Sequence, residues 1–507
     1  MSFASITDSN SYRTSTLAAL ATLLTGTIIT TACGSGWNAE TDTTASSATN
    51  LPQDEPPPVG DGGGTSDSST TPTEHAIPHM RIVWVQDTGD GTDFNSSRPQ
   101  QILMGIDSED DRGERPILES VSNYVKPLIT PRGDRVIFSN RQEKSVYVVD
   151  WNGNGLRRVA DGFALDVWQD PDTGTEWVYS GTDEARTQAI SYHTIRRHRI
   201  DYPANAELIW DTNPVSEDNF QLSLNGRSAS GVFPWPHVGL ADLTTGQWVK
   251  LGEGCWTALA PGGTDLAWYF DGSHRNLTIV DITDDARWRI PINNAPGVEG
   301  FEVYHPRWSN HPRFLTMTGP YTVGDGSNKI RGGGGGVEVY LGRFTADYQT
   351  IEHWIRVTNN TNADFYPDAW INLSAVKPTE RIVVASMDTV TTNPPDAFRR
   401  VVVEVEVRHT ARLPTPMSIA PYREGLLALE YKVLRVIQGS YKEETIVAAH
   451  WIIDEATVLS GAERPANQRY ELTLERYDDH TELEGRRLII DVDDLTLPIY
   501  YDINSRP

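Results

Sequence analysis

The chain has 507 residues, 22% of them charged, with 15 Trp, 19 Tyr, 41 Gly and 31 Pro. That length allows two or three domains, and the wealth of aromatic and turn-forming residues suits a folded, β-rich protein rather than a disordered one. A net charge of −26 disfavours a nucleic-acid partner, whose phosphates need Lys and Arg, and two cysteines in unlike contexts, Cys33 and Cys255, suggest neither a disulfide framework nor a structural zinc site.

In chain order, residues 16–32, TLAALATLLTGTIITTA, come first; they are uncharged and mostly small or apolar. They are too short and too rich in threonine for a comfortable transmembrane helix. Arg13 precedes them and Cys33 follows in TTACGSG. A charged start, an apolar core and a small residue before Cys resemble a bacterial lipoprotein signal peptide over 1–33, with Cys33 as the lipidated residue. The pattern departs at Thr30, where Leu is preferred. An ordinary cleaved signal peptide or a short membrane anchor is the alternative. Gly34 after the Cys is compatible, by the same resemblance, with outer-membrane sorting. Residues 34–79 are Ser, Thr, Asp, Gly and Pro, which cannot bury apolar surface and read as a solvated tether lifting a folded domain off a membrane.

From residue 80 a unit recurs. LITPRGDRVIFSN (128–140), DVWQDPDTGTEWVYSG (166–181), FQLSLNGRSASGVF (220–233), TALAPGGTDLAWYF (257–270) and PRWSNHPRFLTMT (306–318) each read as strand, turn, strand. The turns start at Thr130, Gln169, Ser223, Ala260 and Ser309, at spacings of 39, 54, 37 and 49 residues. A third strand follows each, and usually a short fourth, which is the signature of a β-propeller blade. Residues 81–118 supply a further blade without its first strand, and FYPDAWI (365–371) supplies a first strand without its blade. Pairing the two closes a ring and removes exposed sheet edges. The expectation is six blades over 80–375. The repeat resembles the WD40-like (PD40-type) unit of TolB-type propellers. Members of that group include periplasmic interaction proteins and propeller domains of prolyl-oligopeptidase-like hydrolases, but no Gly-x-Ser-x-Gly elbow occurs here.

After a linker over 376–398 the pattern changes. Residues 399–410, 426–439, 444–453, 468–477 and 486–494 are strand candidates with partial alternation. They predict a small β-barrel or β-sandwich over 399–507, and YKVLRVIQGSYKEETIVAAHW resembles a hairpin of OB-like, netrin-type modules. The fold class expected is therefore all-β, a six-bladed propeller followed by a small β domain.

The candidate chemistry is sparse. DWNGNG (150–155) matches half of a calcium loop, with Asp150, Asn152, Asn154 and Asp161 as conceivable ligands, although a plain turn explains it as well. HTIRRHRI (193–200) puts Arg196 and His198 on one strand face and Arg197 and Arg199 on the other. The five glycines in DGSNKIRGGGGGVEV are followed by a strand pattern and by no Lys-Ser/Thr, which excludes a phosphate-binding P-loop. Loops entering the innermost strands should converge on one propeller face. This would gather Trp168, Trp256, Trp308 and Trp370 near His274, Arg275, His305 and Arg307. Arg suits carboxylates or phosphates, and Trp suits stacking on sugars or peptides. Packing between blades is the competing role for the Trp residues.

These features lead to a binding or scaffold lipoprotein of the cell envelope, anchored by lipid and facing the periplasm or the outside. Its partner would be an envelope protein or a polysaccharide, with no cofactor and no catalysis. The alternative is a polysaccharide-active hydrolase or lyase with its site on the propeller face.

Overall fold

A computed structural model describes residues 78–373 and 400–506, apart from 94–95, 187–188, 218, 263, 322–334 and 495–496. The expected signal peptide with Cys33, the expected tether up to residue 77, the expected linker over 376–398 and three of the five consecutive glycines lie outside the described residues.

Turn chemistry organises the blades. In blade two, Thr130 N–H donates to Arg135 O at 2.9 Å and Gly133 N–H to Thr130 O at 2.7 Å. Gly133 has a φ of 77°, a conformation that strains other residues. Ser223 and Gly226 repeat this turn in blade four. Each hairpin so formed exposes polar edges that only the next strand can pair, so sheets of four strands build up.

Six antiparallel sheets result. Blade two runs Tyr124–Ile129, Arg135–Asn140, Ser145–Asp150 and Arg157–Asp161, from the innermost strand outward. Blade three starts at Phe163–Gln169, blade four at Phe220–Leu222, blade five at Cys255–Leu259 and blade six at Glu302–Trp308. Blade three carries an added short strand, Val215–Ser216, paired with Ile190–Arg199. Blade one is composite. Its innermost strand, Ala363–Ile371, pairs with Met80–Asp87, with Met80 opposite Ile371 and Asp87 opposite Ala363. Buried Trp84 donates its Nε1–H to Asp364 of the closing strand at 2.8 Å, and Gln86 Nε2 does so at 3.0 Å. Large apolar side chains such as Trp268, Trp308 and Tyr340 are fully buried and form a core shared between blades.

The C-terminal region is a closed barrel of five strands. Arg400–Val407 pairs with Gly425–Gln438, which pairs with Thr445–Asp454. Ile499–Asp502 then joins Thr445–Asp454 in parallel, and Arg469–Arg476 completes the circuit back to Arg400–Val407. Of the two forms expected, barrel or sandwich, the barrel is the one formed. Arg487–Asp491 lies outside the circuit, parallel to the start of Gly425–Gln438.

Candidate functional site

The propeller axis is lined by the innermost strands, each an edge of its sheet. Three of them carry an X-Pro pair: Lys126-Pro127, His305-Pro306 and Tyr366-Pro367. Proline fits an edge strand, where its missing N–H deprives no neighbour. The preceding residues sit at φ of 47°, 53° and 52°, and Trp256 of blade five at 25°. Strand register shifts at each place. These bulges turn Lys126, Trp256, His305 and Tyr366 onto an axial pocket of about 30 Å³, shared with Gln221 and Arg307.

Arg307 plugs that axis. Its Nε donates to Asp368 of blade one at 2.7 Å and its Nη2 to Asp166 of blade three at 2.9 Å. Blade three stands opposite blade six in a six-membered ring, so the guanidinium spans the axis. Both carboxylates also accept a backbone N–H of the following blade, Ile129 at 2.7 Å and Leu222 at 2.8 Å. His305 is enclosed by the Trp256 and Tyr366 rings, at 5.7 and 4.1 Å between centroids. Burial pushes its imidazole down to about 3, so it stays neutral at ordinary pH.

The gathering of four tryptophans at this face does not occur. Only Trp256 is there. Trp308 is buried against Trp268, Phe344 and Tyr348, between blades five and six. Trp168 and Trp370 point to the first turn of the next blade, where they donate to Leu224 O at 2.9 Å and Pro131 O at 3.0 Å. A Cβ on Gly226 would lie 2.6 Å from Trp168, and one on Gly133 2.5 Å from Trp370. Both tryptophans are therefore inter-blade fastenings rather than ligand platforms.

The calcium-like set is also split. Asp150 Oδ1 accepts the N–H of Asn152 at 2.9 Å and of Asn154 at 2.8 Å, which makes a turn. Asp161 pairs with Ser145 at the far end of the same hairpin, about 17 Å away at strand rise, and its carboxylate meets Arg158. One ion cannot bridge that gap. In HTIRRHRI the alternation places Arg197 and Arg199 on one face, both over Trp177 at 4.3 and 5.1 Å, and Arg197 bonds Glu207 at 2.6 Å. This is the third strand of blade three from the axis, paired along both edges.

His274 and Arg275 belong to a different place: the seam where the barrel sits on blades five and six. Arg487, from the strand beside the barrel, is wholly buried and donates to Glu302 at 2.6 Å and to Gly272 O at 3.1 Å. His274 lies between this pair and Tyr422, with Nε2 3.1 Å from the Tyr422 hydroxyl. Burial alone would raise the Glu302 carboxyl, but Arg487 and His274 hold it down to about 2. Burial lowers the Arg275 guanidinium to about 10, and its Nε donates to Gly300 O at 3.1 Å. Cys255 is buried, with its Sγ 2.7 Å from the Tyr422 hydroxyl. Gly272 lets the two parts meet. Its N–H donates to Glu484 O at 2.8 Å, and a Cβ there would stand 2.0 Å from Arg486 O.

Beside these contacts the seam opens into a cleft of about 690 Å³, within the roughly 300–1,000 Å³ usual for ligand sites. Its propeller wall holds Lys250, Glu253, Tyr269, Thr278, Arg287, Trp288 and Arg289, and its barrel wall Asp478, Thr481, Glu482, Glu484 and Arg486. Glu253 receives Lys250 and Arg486, both at 2.7 Å. Glu484 receives Tyr269 Oη at 2.7 Å and Thr278 Oγ1 at 3.1 Å. Burial pushes the Glu484 carboxyl up, whereas on Glu253 the hydrogen bonds from Lys250 and Arg486 outweigh burial and pull it down. Sequence reading missed this cleft because its walls lie more than 180 residues apart in the chain.

Fold and site together define a six-bladed propeller with a β-barrel seated on one face and a polar cleft at the seam. No protein-family description matches the chain, and no curated protein sequence matches it. Among solved structures it is similar to TolB from Acinetobacter baumannii, at 13% identity over 57% of this chain and 66% of that one, with a TM-score of 0.39. A putative TolB from Agrobacterium tumefaciens is similar at 13% identity over 57% of this chain and 98% of that one, TM-score 0.34. A chain of a nidogen/laminin complex is similar at 8% identity, over 57% of this chain and 98% of that one, TM-score 0.39. Among the described residues no helix is long and apolar enough to cross a membrane.

Proposed function

We propose that the protein is a binding and scaffold protein of the bacterial cell envelope, tethered by a lipid at Cys33, that holds an envelope protein or a polysaccharide without a cofactor. The cleft at the seam carries this reading. It is roomy, its walls come from two parts locked together by buried charge, and its polar groups are already fixed, so a ligand meets little ordering cost. The axial pocket, at about 30 Å³ and crossed by Arg307, offers a ligand far less. The test is a glycan-array screen and an envelope-extract pull-down with the full chain and with Thr481→Trp, which fills the cleft from the barrel side. Specific capture by the wild type that is lost in the variant supports the reading. Equal capture by both refutes the site.

A polysaccharide-active enzyme is the second reading. One observation favours it: Glu484 and Glu253 line the same cleft and are shifted in opposite directions, the arrangement that separates a general acid from a carboxylate partner. Release of reducing ends from a bound glycan, abolished in Glu484→Gln, would establish it. Binding without turnover would dismiss it.

A further inference from the structure

We infer that the cleft at the propeller–barrel seam is a subsite for a neutral oligosaccharide, an assignment that rests on the binding role proposed above and narrows it to one ligand class. Three observations converge on this. The first is charge. The whole chain carries −26, yet the cleft is lined by four cations, Lys250, Arg287, Arg289 and Arg486, against four anions, Glu253, Asp478, Glu482 and Glu484. The lining is formally neutral in a strongly acidic protein, so it neither draws in a polyanion nor concentrates a polycation.

The second is how those charges are held. Lys250 and Arg486 are engaged by Glu253, Arg287 by Asp285 at 2.6 Å, and Arg289 by Asp271 at 2.6 Å and Asp478 at 3.2 Å. Glu484 is met by Tyr269 and Thr278, and Glu482 by His480 at 2.8 Å. A charged ligand would compete with these pairs for the same groups. A hydroxyl need not, because each carboxylate oxygen keeps a spare lone pair and an O–H can also accept from a guanidinium N–H. Locked, paired side chains are thus a lattice for polyhydroxylic ligands and a poorer one for ions.

The third is Trp288. It lies on the outermost strand of blade five and, like Trp168 and Trp370, fastens its blade to the next, its Nε1–H fixed on Tyr348 O at 2.6 Å; unlike them, it also lines the cleft. Anchored by its edge, the indole presents a rigid apolar surface among hydrogen-bonding groups. A pyranose ring has the matching shape, with an apolar C–H face and hydroxyls around its rim.

Isothermal titration of the full chain tests this, with four neutral probes (maltotetraose, cellotetraose, mannotetraose and tetra-N-acetylchitotetraose) and one acidic probe, tetragalacturonate. We expect at least one neutral probe to bind, with less than a twofold change in affinity between 0.05 and 0.5 M NaCl. Trp288→Ala should weaken it at least tenfold, Trp288→Phe should retain it within about threefold, and Thr481→Trp should abolish it. Circular dichroism and melting temperature verify that each variant is folded. Failure of all four neutral probes, tighter binding of tetragalacturonate, or unchanged affinity in Thr481→Trp overturns the inference. Loss of captured envelope protein in Thr481→Trp without neutral-sugar binding would overturn it while leaving the broader binding role standing.

Discussion

The propeller axis and the propeller–barrel seam use the same chemistry to opposite ends. At the axis, one guanidinium reaches two carboxylates across the ring and what remains is about 30 Å³. At the seam, Arg487 and Glu302 seal the centre of the contact, while Arg289, Arg486 and their carboxylates frame a cleft of about 690 Å³ at its side. Buried ion pairs therefore do not mark a functional site by themselves. What separates the two regions is the space left once the pairs are satisfied.

The contrast can be broken first at the axis. Arg307→Ala would leave Asp166 and Asp368 facing each other without their cation, a loss of about 3–5 kcal/mol. Calorimetry should show the propeller melting earlier with the cleft intact, and a small effect would mean that the axial pair is not structural. At the seam, Arg487→Ala strands Glu302 and should cost about 3 kcal/mol. Here the expected outcome is two separate melting transitions, propeller and barrel, in place of one. A single unshifted transition would contradict the role given to the pair.

A third test concerns ring closure. Burial pushes the Asp364 carboxyl up to about 7, above its value of 3.8 in the unfolded chain. The folded state thus holds a proton that the unfolded state releases between these values. The associated stability is fully present below about pH 4 and is lost as pH rises through 7, a change of about 2–3 kcal/mol between pH 5 and pH 8. Asp364→Asn should flatten this component, and urea titrations at the two pH values read it directly. The smallest expected effect is at the fastenings: Trp168→Phe removes the bond to Leu224 O and should cost about 1 kcal/mol of propeller stability without touching the cleft.

The repeat was legible because each blade needs the same local devices, a turn with Gly or Asp between two apolar strands, and these leave a period in the sequence. The barrel was less legible. Its closure depends on Ile499–Asp502, a strand of only four residues that pairs in parallel with Thr445–Asp454 and shows no periodicity of its own. The scatter of the candidate residues was illegible for a different reason. Residue type suggested that Trp168, Trp308 and Trp370 were ligand platforms, but their indole N–H groups found backbone carbonyls in neighbouring turns. His274 lies at the seam instead, where its partners are Tyr422 and, from the strand beside the barrel, Arg487, and no local pattern links the three. One signal was present and unread: the Lys-Pro, His-Pro and Tyr-Pro pairs at 126, 305 and 366, which mark the bulges around the axis.

The central claim is that ligands are taken at the seam and not at the axis. Its most direct test is isothermal titration of the best-binding tetrasaccharide into the wild type, Trp288→Ala and Gln221→Ala, the last altering only the axial pocket. The account predicts at least tenfold weaker binding in Trp288→Ala and affinity within twofold of wild type in Gln221→Ala. The reverse order would contradict it.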